Sequence, residues 1–211
     1  MSFDGLFLKL KRVIRPLIQI FRRRMETRKW ARLSNGHTPI KIELGAGGKK
    51  GENGWTTIDL GGADIAHDLR FGIPLPNESV EAIYSSHLLE HLSYTQLLQF
   101  LGECKRVLVK GGTFRASVPN ARFYLDCYLK GEDFKSKSEM HHPAICNTGS
   151  KIDQINYIAY MGEEHKYMFD EENLVKIFLI AGYASSVLSE FDMKIDPEDR
   201  RSESIYCIAS K

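Results

Sequence analysis

Several features are scarce in this sequence, and each shortage removes a class of function. None of the four cysteines, Cys104, Cys127, Cys146 and Cys207, belongs to a C-x-x-C pair. Neither a zinc ribbon nor a dithiol redox motif is therefore present, and reduced, buried thiols are the expectation. There are no internal repeats and no low-complexity tracts. Net charge is small, +2 over 211 residues, and the composition, 43% hydrophobic and 27% charged, is that of a globular chain. That length predicts one domain with an appendage and a sizeable buried core.

The small net charge hides an asymmetry. Residues 1–33 hold ten Lys or Arg against two acids, +8, so the other 178 residues carry −6. A mildly acidic body argues against a nucleic-acid channel. Within 3–33, Phe3, Phe7, Leu10, Ile14, Leu17, Ile18, Phe21 and Met25 recur at steps of three and four, which predicts a basic amphipathic helix, kinked at Pro16. Its apolar runs are too short to span a bilayer or serve as a secretory signal. An anionic membrane surface, a homodimer partner and the helix's own domain all remain open as what it meets. The domain division is 1–35 for this extension and 36–211 for the body.

The informative stretch is 40–69. Ile40, Ile42 and Leu44 predict a buried strand with Glu43 near its carboxyl tip, followed at once by Gly45, Gly47 and Gly48. A second strand over 55–60 ends near Asp59. Glycines after a strand bring the backbone close to a ligand, and a carboxylate on the next strand tip suits a ribose diol. The dinucleotide pattern G-x-G-x-x-G is not completed, because its last position is Lys50. Glu43 would repel a pyrophosphate, whereas a cationic amino-acid tail would suit it.

ELGAGG at 43–48, Asp59, the stretch HDLRFGIPLPNESVEAIYSSHLLEHL at 67–92 and RVLVKGGTFRASVPN at 106–120 occur in one order and spacing. Together they resemble the class I S-adenosylmethionine-dependent methyltransferases, well over 40–120 and weakly over 165–211. Lys49 stands where the strictest form of the first motif has a glycine. The resemblance implies a doubly wound, Rossmann-like α/β fold with a mixed seven-stranded sheet whose last strand is antiparallel. It implies S-adenosyl-L-methionine as cofactor, with Glu43, Gly45, Ala46, Gly47, Asp59, Leu60, Asp68, Leu69, Ser85 and His87 around it. Asp68 would accept from the adenine amine, or else cap a turn. His87 would line the methionine end through its backbone. Residues 131–168, from which no regular element is read, would form an acceptor pocket or lid.

Further strands are expected at 64–67, 80–85, 113–118, 187–191 and 204–209, and helices at 94–108, 122–130 and 169–181. His87-Leu88-Leu89-Glu90-His91 also spells H-x-x-E-H, an inverted zinc-peptidase pattern. A zinc hydrolase needs both histidines well inside a helix, and His87 falls at a strand–helix junction, so no metal is expected. His91 reads as a packed or capping side chain. Among His141, His142 and His165, the last is the candidate general base, since a hydroxyl acceptor must lose a proton as the methyl arrives. The function expected is methyl transfer to a small-molecule or lipid-linked glycan acceptor, on oxygen. A cofactor-binding module without catalysis is the alternative. The expected location is cytoplasmic, peripheral on the inner membrane face if the helix binds there.

Overall fold

A computed structural model describes residues 25–36, 39–132 and 148–211. Seven strands make one sheet: β1 Ile40–Leu44, β2 Trp55–Asp59, β3 Ile65–Ala66, β4 Val80–Ser86, β5 Leu108–Pro119, β6 Ser185–Ser189 and β7 Ser204–Ser210. Their order is β3-β2-β1-β4-β5-β7-β6, with β7 antiparallel to both neighbours and the other pairs parallel. This is the expected fold class. Ile40, Ile42 and Leu44 are all buried, and they alternate with the more exposed Lys41 and Glu43. β2 lies on one side of β1 and β4 on the other, so the strand order reverses there and opens a crevice at the carboxyl ends.

Among the described residues five helices accompany the sheet: α1 over residues 25–34, α2 Tyr94–Val107, α3 Ala121–Lys130, α4 Ile152–Tyr160 and α5 Glu171–Ile180. In α2, Leu97, Phe100, Leu101, Cys104 and Val107 recur at helical spacing and are buried, and Ser93 with Gln96 forms a capping box at its start. Asp170 accepts from the Asn173 N–H at 2.8 Å to begin α5, and Gly182, at φ 87°, ends it. α3 and α4 share a smaller cluster of Tyr124, Cys127 and Ile158.

Three sequence expectations change. β5 starts at Leu108, five residues early, because the chain passes through Gly111 at φ 75° and resumes pairing at Thr113. β6 lies two residues before its expected place: Val187 and Leu188 are 59% and 48% exposed, and the buried residue of this edge strand is Ser186, which contacts the Cys207 thiol. Within 131–168 the chain forms α4 and a 3₁₀ turn, Met161–Glu163, while 133–147 lie outside the described residues together with His141, His142 and Cys146.

The expected amphipathic helix is described only from residue 25, so the stripe from Phe3 to Phe21 and Pro16 lie outside the described residues. The part described packs on its own domain. Trp30 is buried in the main core and meets His67 edge-on at 5.5 Å. Glu26 accepts from the Ala66 N–H at 2.9 Å, and Lys29 donates to the Asp64 carbonyl at 2.7 Å. The exposed edge of β3 is thereby covered. Residues 25–34 of the extension thus share the core of the body. No helix among the described residues is long and apolar enough to cross a membrane.

Candidate cofactor and acceptor site

The crevice rim over β1 and β2 is built from one continuous stretch. Gly45 and Gly47 have φ of 73° and 62°, and an added Cβ at Gly45 would lie 2.9 Å from Leu88, so only glycine fits that bend. The N–H groups of residues 45–47 turn inward. Gly45 and Ala46 donate to the Ile58 carbonyl at 2.9 and 3.4 Å, and Gly47 donates to Asp59 Oδ2 at 2.8 Å. A pyrophosphate would need those donors facing outward. What faces outward is acid: Glu43 at the tip of β1 and Asp59 at the tip of β2.

Asp59 does not point into the core, and its other oxygen accepts from the Leu60 N–H at 2.5 Å. Leu60, 70% exposed, offers an apolar surface directly beyond it. No atom lies within 4 Å of an added Cβ at Gly47 or Gly48, which leaves open space over the bend. Lys49, in the position of the missing glycine, places its Nζ 3.0 Å from Glu43 Oε1. An ammonium thus already occupies one oxygen of Glu43.

A cleft of about 1210 Å³ opens beside this rim, lined by α1 together with Leu60, Gly61, Gly62 and His67. It shares Leu60 with the site but contains neither carboxylate.

Further along, both Asp68 oxygens are engaged by Arg70, from Nε at 2.9 Å and Nη2 at 2.7 Å, and the side chain also caps the 3₁₀ turn Leu69–Phe71. Arg70 holds the Asp68 carboxyl below its ordinary range. The turn-cap alternative is therefore what the structure shows, and an adenine amine would have to share that carboxylate. Leu69 packs partly against the core. Ser85 is corrected: it is fully buried, so it exposes no atom to a ligand. His87 is corrected in part. Its N–H is taken by the Ser117 carbonyl at 2.9 Å and its Nε2 meets Ser204 Oγ at 2.8 Å, so it faces β5 and β7.

The rim over β4, β5 and β7 is assembled from distant segments. Arg200 Nη1 donates to Ser86 O and Oγ at 3.1 and 3.2 Å, and Ser117 Oγ donates to Ser86 Oγ at 3.0 Å. Arg115 donates from Nε to Asp196 Oδ1 at 3.0 Å in a buried ion pair that ties β5 to the segment after β6. His165, expected as a base in an acceptor pocket, is instead buried. Its ring lies edge-on to His91 at 4.9 Å, and burial lowers the pKa of both imidazoles. Glu90 is 2% exposed, and burial raises its carboxyl to about 8. Sequence reasoning weighed Glu90 only as part of H-x-x-E-H, and Arg200 not at all. No local pattern marks Arg200, because its partner is 114 residues away.

A doubly wound sheet with an acid on each of two adjacent strand tips, joined by a glycine bend, presents the groups that a cationic nucleoside ligand would need. Residues 46–116 match the family model of the methyltransferase domain. A probable S-adenosylmethionine-dependent methyltransferase of Mycolicibacterium smegmatis is 42% identical over 57 residues, 27% of this chain and 21% of that protein, so the match spans about a fifth of the relative's length. The crystal structure of an S-adenosylmethionine-dependent methyltransferase from Archaeoglobus fulgidus superposes with a TM-score of 0.50 at 15% identity, covering 100% of both chains. One from Mesorhizobium loti gives 0.47 at 16% identity, covering 82% of this chain and 90% of the other. Over residues 46–116 the chain is thus similar to a methyltransferase domain, and its fold is the one shared by class I, S-adenosylmethionine-dependent methyltransferases. S-adenosylmethionine is that class's cofactor, and Glu43, the Gly45–Gly47 bend and Asp59 fit it: acids for an ammonium and a diol, and no outward donors for a phosphate.

Proposed function

We propose that the protein transfers the methyl group of S-adenosylmethionine to a hydroxyl oxygen of a small-molecule or glycan acceptor. The observation that carries the cofactor half is the pair of strand-tip carboxylates around an inward-bonded glycine bend. S-adenosylmethionine supplies an electrophilic methyl on a sulfonium, so the hard chemistry resides in it. The chain's own work is to hold the nucleoside and tail, align the acceptor and exclude water. Asp59 and Glu43 orient the bound nucleoside, while Leu88 against Gly45 fixes the bend. On the other rim His165 is buried, with its Nδ1 2.8 Å from the Ile158 carbonyl, which can only accept, so Nδ1 carries the proton and no general base is assigned.

The +8 carried by residues 1–33 supports an acceptor met at an anionic membrane, such as a lipid-linked glycan. A cell extract incubated with the protein and cofactor labelled in the methyl group should yield one labelled product that mass spectrometry identifies. Absence of transfer, with cofactor binding intact, would favour a non-catalytic module. Flotation with anionic liposomes should be lost when residues 1–24 are removed; unchanged flotation sinks the membrane part.

A further inference from the structure

Beyond the methyl-transfer reading, one buried cluster has no role. β4 ends at Ser86, His87 takes a left-handed φ of 55°, and the chain turns through a 3₁₀ turn, Leu89–His91. The H-x-x-E-H residues are therefore not on an α-helix, and the two-histidine pairing of a zinc peptidase does not form. The same turn instead drives Glu90 into the interior. Both of its carboxylate oxygens are buried and without a hydrogen-bond partner among the described residues. His87 Nδ1, at 3.6 Å from Oε1, is too distant to serve. Arg200 donates to Ser86 and contributes only its charge. An interior carboxylate without a partner costs several kcal/mol unless something satisfies it.

Two imidazoles stand beside it. His165 is fixed there by main-chain bonds, since the Lys166 and Tyr167 N–H groups both donate to the Glu90 carbonyl, at 2.8 and 3.2 Å. With His165 Nδ1 protonated toward Ile158, Nε2 is the free donor. His91 stands edge-on to His165, with ring centroids 4.9 Å apart. A histidine held by a carbonyl on one nitrogen and bare on the other, as His165 is, is arranged as a metal ligand is. One donor atom from each of Glu90, His91 and His165 lies within 4.8 Å of the others. Bonds of about 2.0–2.2 Å would set such donors roughly 3–3.5 Å apart, so binding draws them together by about an ångström.

We propose that Glu90, His91 and His165 form a binding site for a divalent transition-metal cation, through one carboxylate oxygen and two imidazole nitrogens. This donor set suits Zn²⁺, Co²⁺, Mn²⁺ or Fe²⁺ over Mg²⁺, which prefers oxygen throughout. Three protein donors leave coordination positions for water or another oxygen ligand. The site lies beside the glycine bend, because Leu88, two residues before Glu90, is the side chain that an added Cβ at Gly45 would strike. It differs from a peptidase site in that Glu90 is a ligand and not a base.

The test uses the full chain, stripped with a chelator and titrated separately with Zn²⁺, Co²⁺ and Mn²⁺, with no turnover required. The expected result is one equivalent of at least one ion bound, a raised melting temperature on loading, and a Co²⁺ spectrum of nitrogen and oxygen ligation. Glu90→Gln and His165→Ala should each weaken binding about 100-fold or more, while His67→Gln, a histidine outside the cluster, leaves it unchanged. No stoichiometric binding of any of the three ions by the folded wild-type chain overturns the proposal. So does binding that survives both substitutions, or a cobalt spectrum with sulfur charge-transfer bands. If either variant fails to fold, the wild-type stoichiometry and cobalt spectrum still decide.

Discussion

The two rims of the crevice are built in opposite ways. Over β1 and β2 the polar groups are partly exposed and their bonds are short in sequence: Gly47 to Asp59 spans 12 residues and Thr57 to Asp64 spans 7. Over β4, β5 and β7 they are buried and joined across the chain, with Ser86 to Arg200 spanning 114 residues and His87 to Ser204 spanning 117. The first rim offers acids and space to a ligand whose chemistry its own residues define. The second is stabilised from within, and its polar groups face one another. A sheet can thus hold a rim built from local bonds beside one that only the complete fold assembles.

The sharpest way to break this contrast is to remove one long-range partner from the second rim. Asp196→Ala leaves the Arg115 guanidinium, now matched by the aspartate of a buried pair, without its counter-charge. Loss of about 3–5 kcal/mol is expected in chemical denaturation. A loss within 1 kcal/mol would mean that this rim is not held by its interior pairs.

Next in size is the first rim's own carboxylate. Asp59→Ala should weaken S-adenosylmethionine binding by about 1–3 kcal/mol, roughly 5- to 150-fold, measured by titration calorimetry. Folding stability should change much less than in Asp196→Ala, because Asp59 bonds only two exposed N–H groups. Equal damage to stability and binding would erase the distinction between the rims.

The same difference decides what the sequence makes legible. β1 is read to the residue, and β2 and α2 to within one, because Ile40, Ile42 and Leu44, then Leu97, Leu101 and Cys104, show clean periods of two and of three to four. Glu43, Gly45 and Asp59 are legible for the same reason: each stands at the end of a local pattern. β6 is misplaced because its apolar residues face solvent and a serine is buried. Glu90 and His165 are 75 positions apart, and the bonds from Lys166 and Tyr167 to the Glu90 carbonyl help bring them together. No window of sequence contains that contact. Arg70 likewise claims Asp68 by a local bond, though the resemblance assigned that acid to adenine.

A smaller effect tests the bend itself. Gly45→Ala must hold a left-handed φ of 73° and press a Cβ to 2.9 Å from Leu88, whereas Gly47→Ala meets the strain alone, with no atom within 4 Å. Both should lose about 1–2 kcal/mol from backbone strain, and Gly45→Ala should lose more because of the clash. Thermal melts of the two variants side by side show the ranking. An equal loss would mean that Leu88 moves aside freely, and with it the link between the bend and the second rim.

The smallest effect concerns Lys49. Its ammonium stands 3.0 Å from Glu43 Oε1, with the lysine side chain 53% exposed and the glutamate 15% exposed. If Glu43 receives the amino group of the methionine tail, two cations compete for one acid, and Lys49 must swing away on binding. An exposed pair of this kind is worth up to about 1 kcal/mol, so Lys49→Met should tighten cofactor binding by as much as fivefold, and less at high salt. The tail also carries a carboxylate, and a lysine that swings only part of the way would meet it. In that case the substitution weakens binding instead. Calorimetry at low and high salt reads the sign directly: tightening makes Lys49 a competitor for Glu43, and weakening makes it a partner of the tail carboxylate.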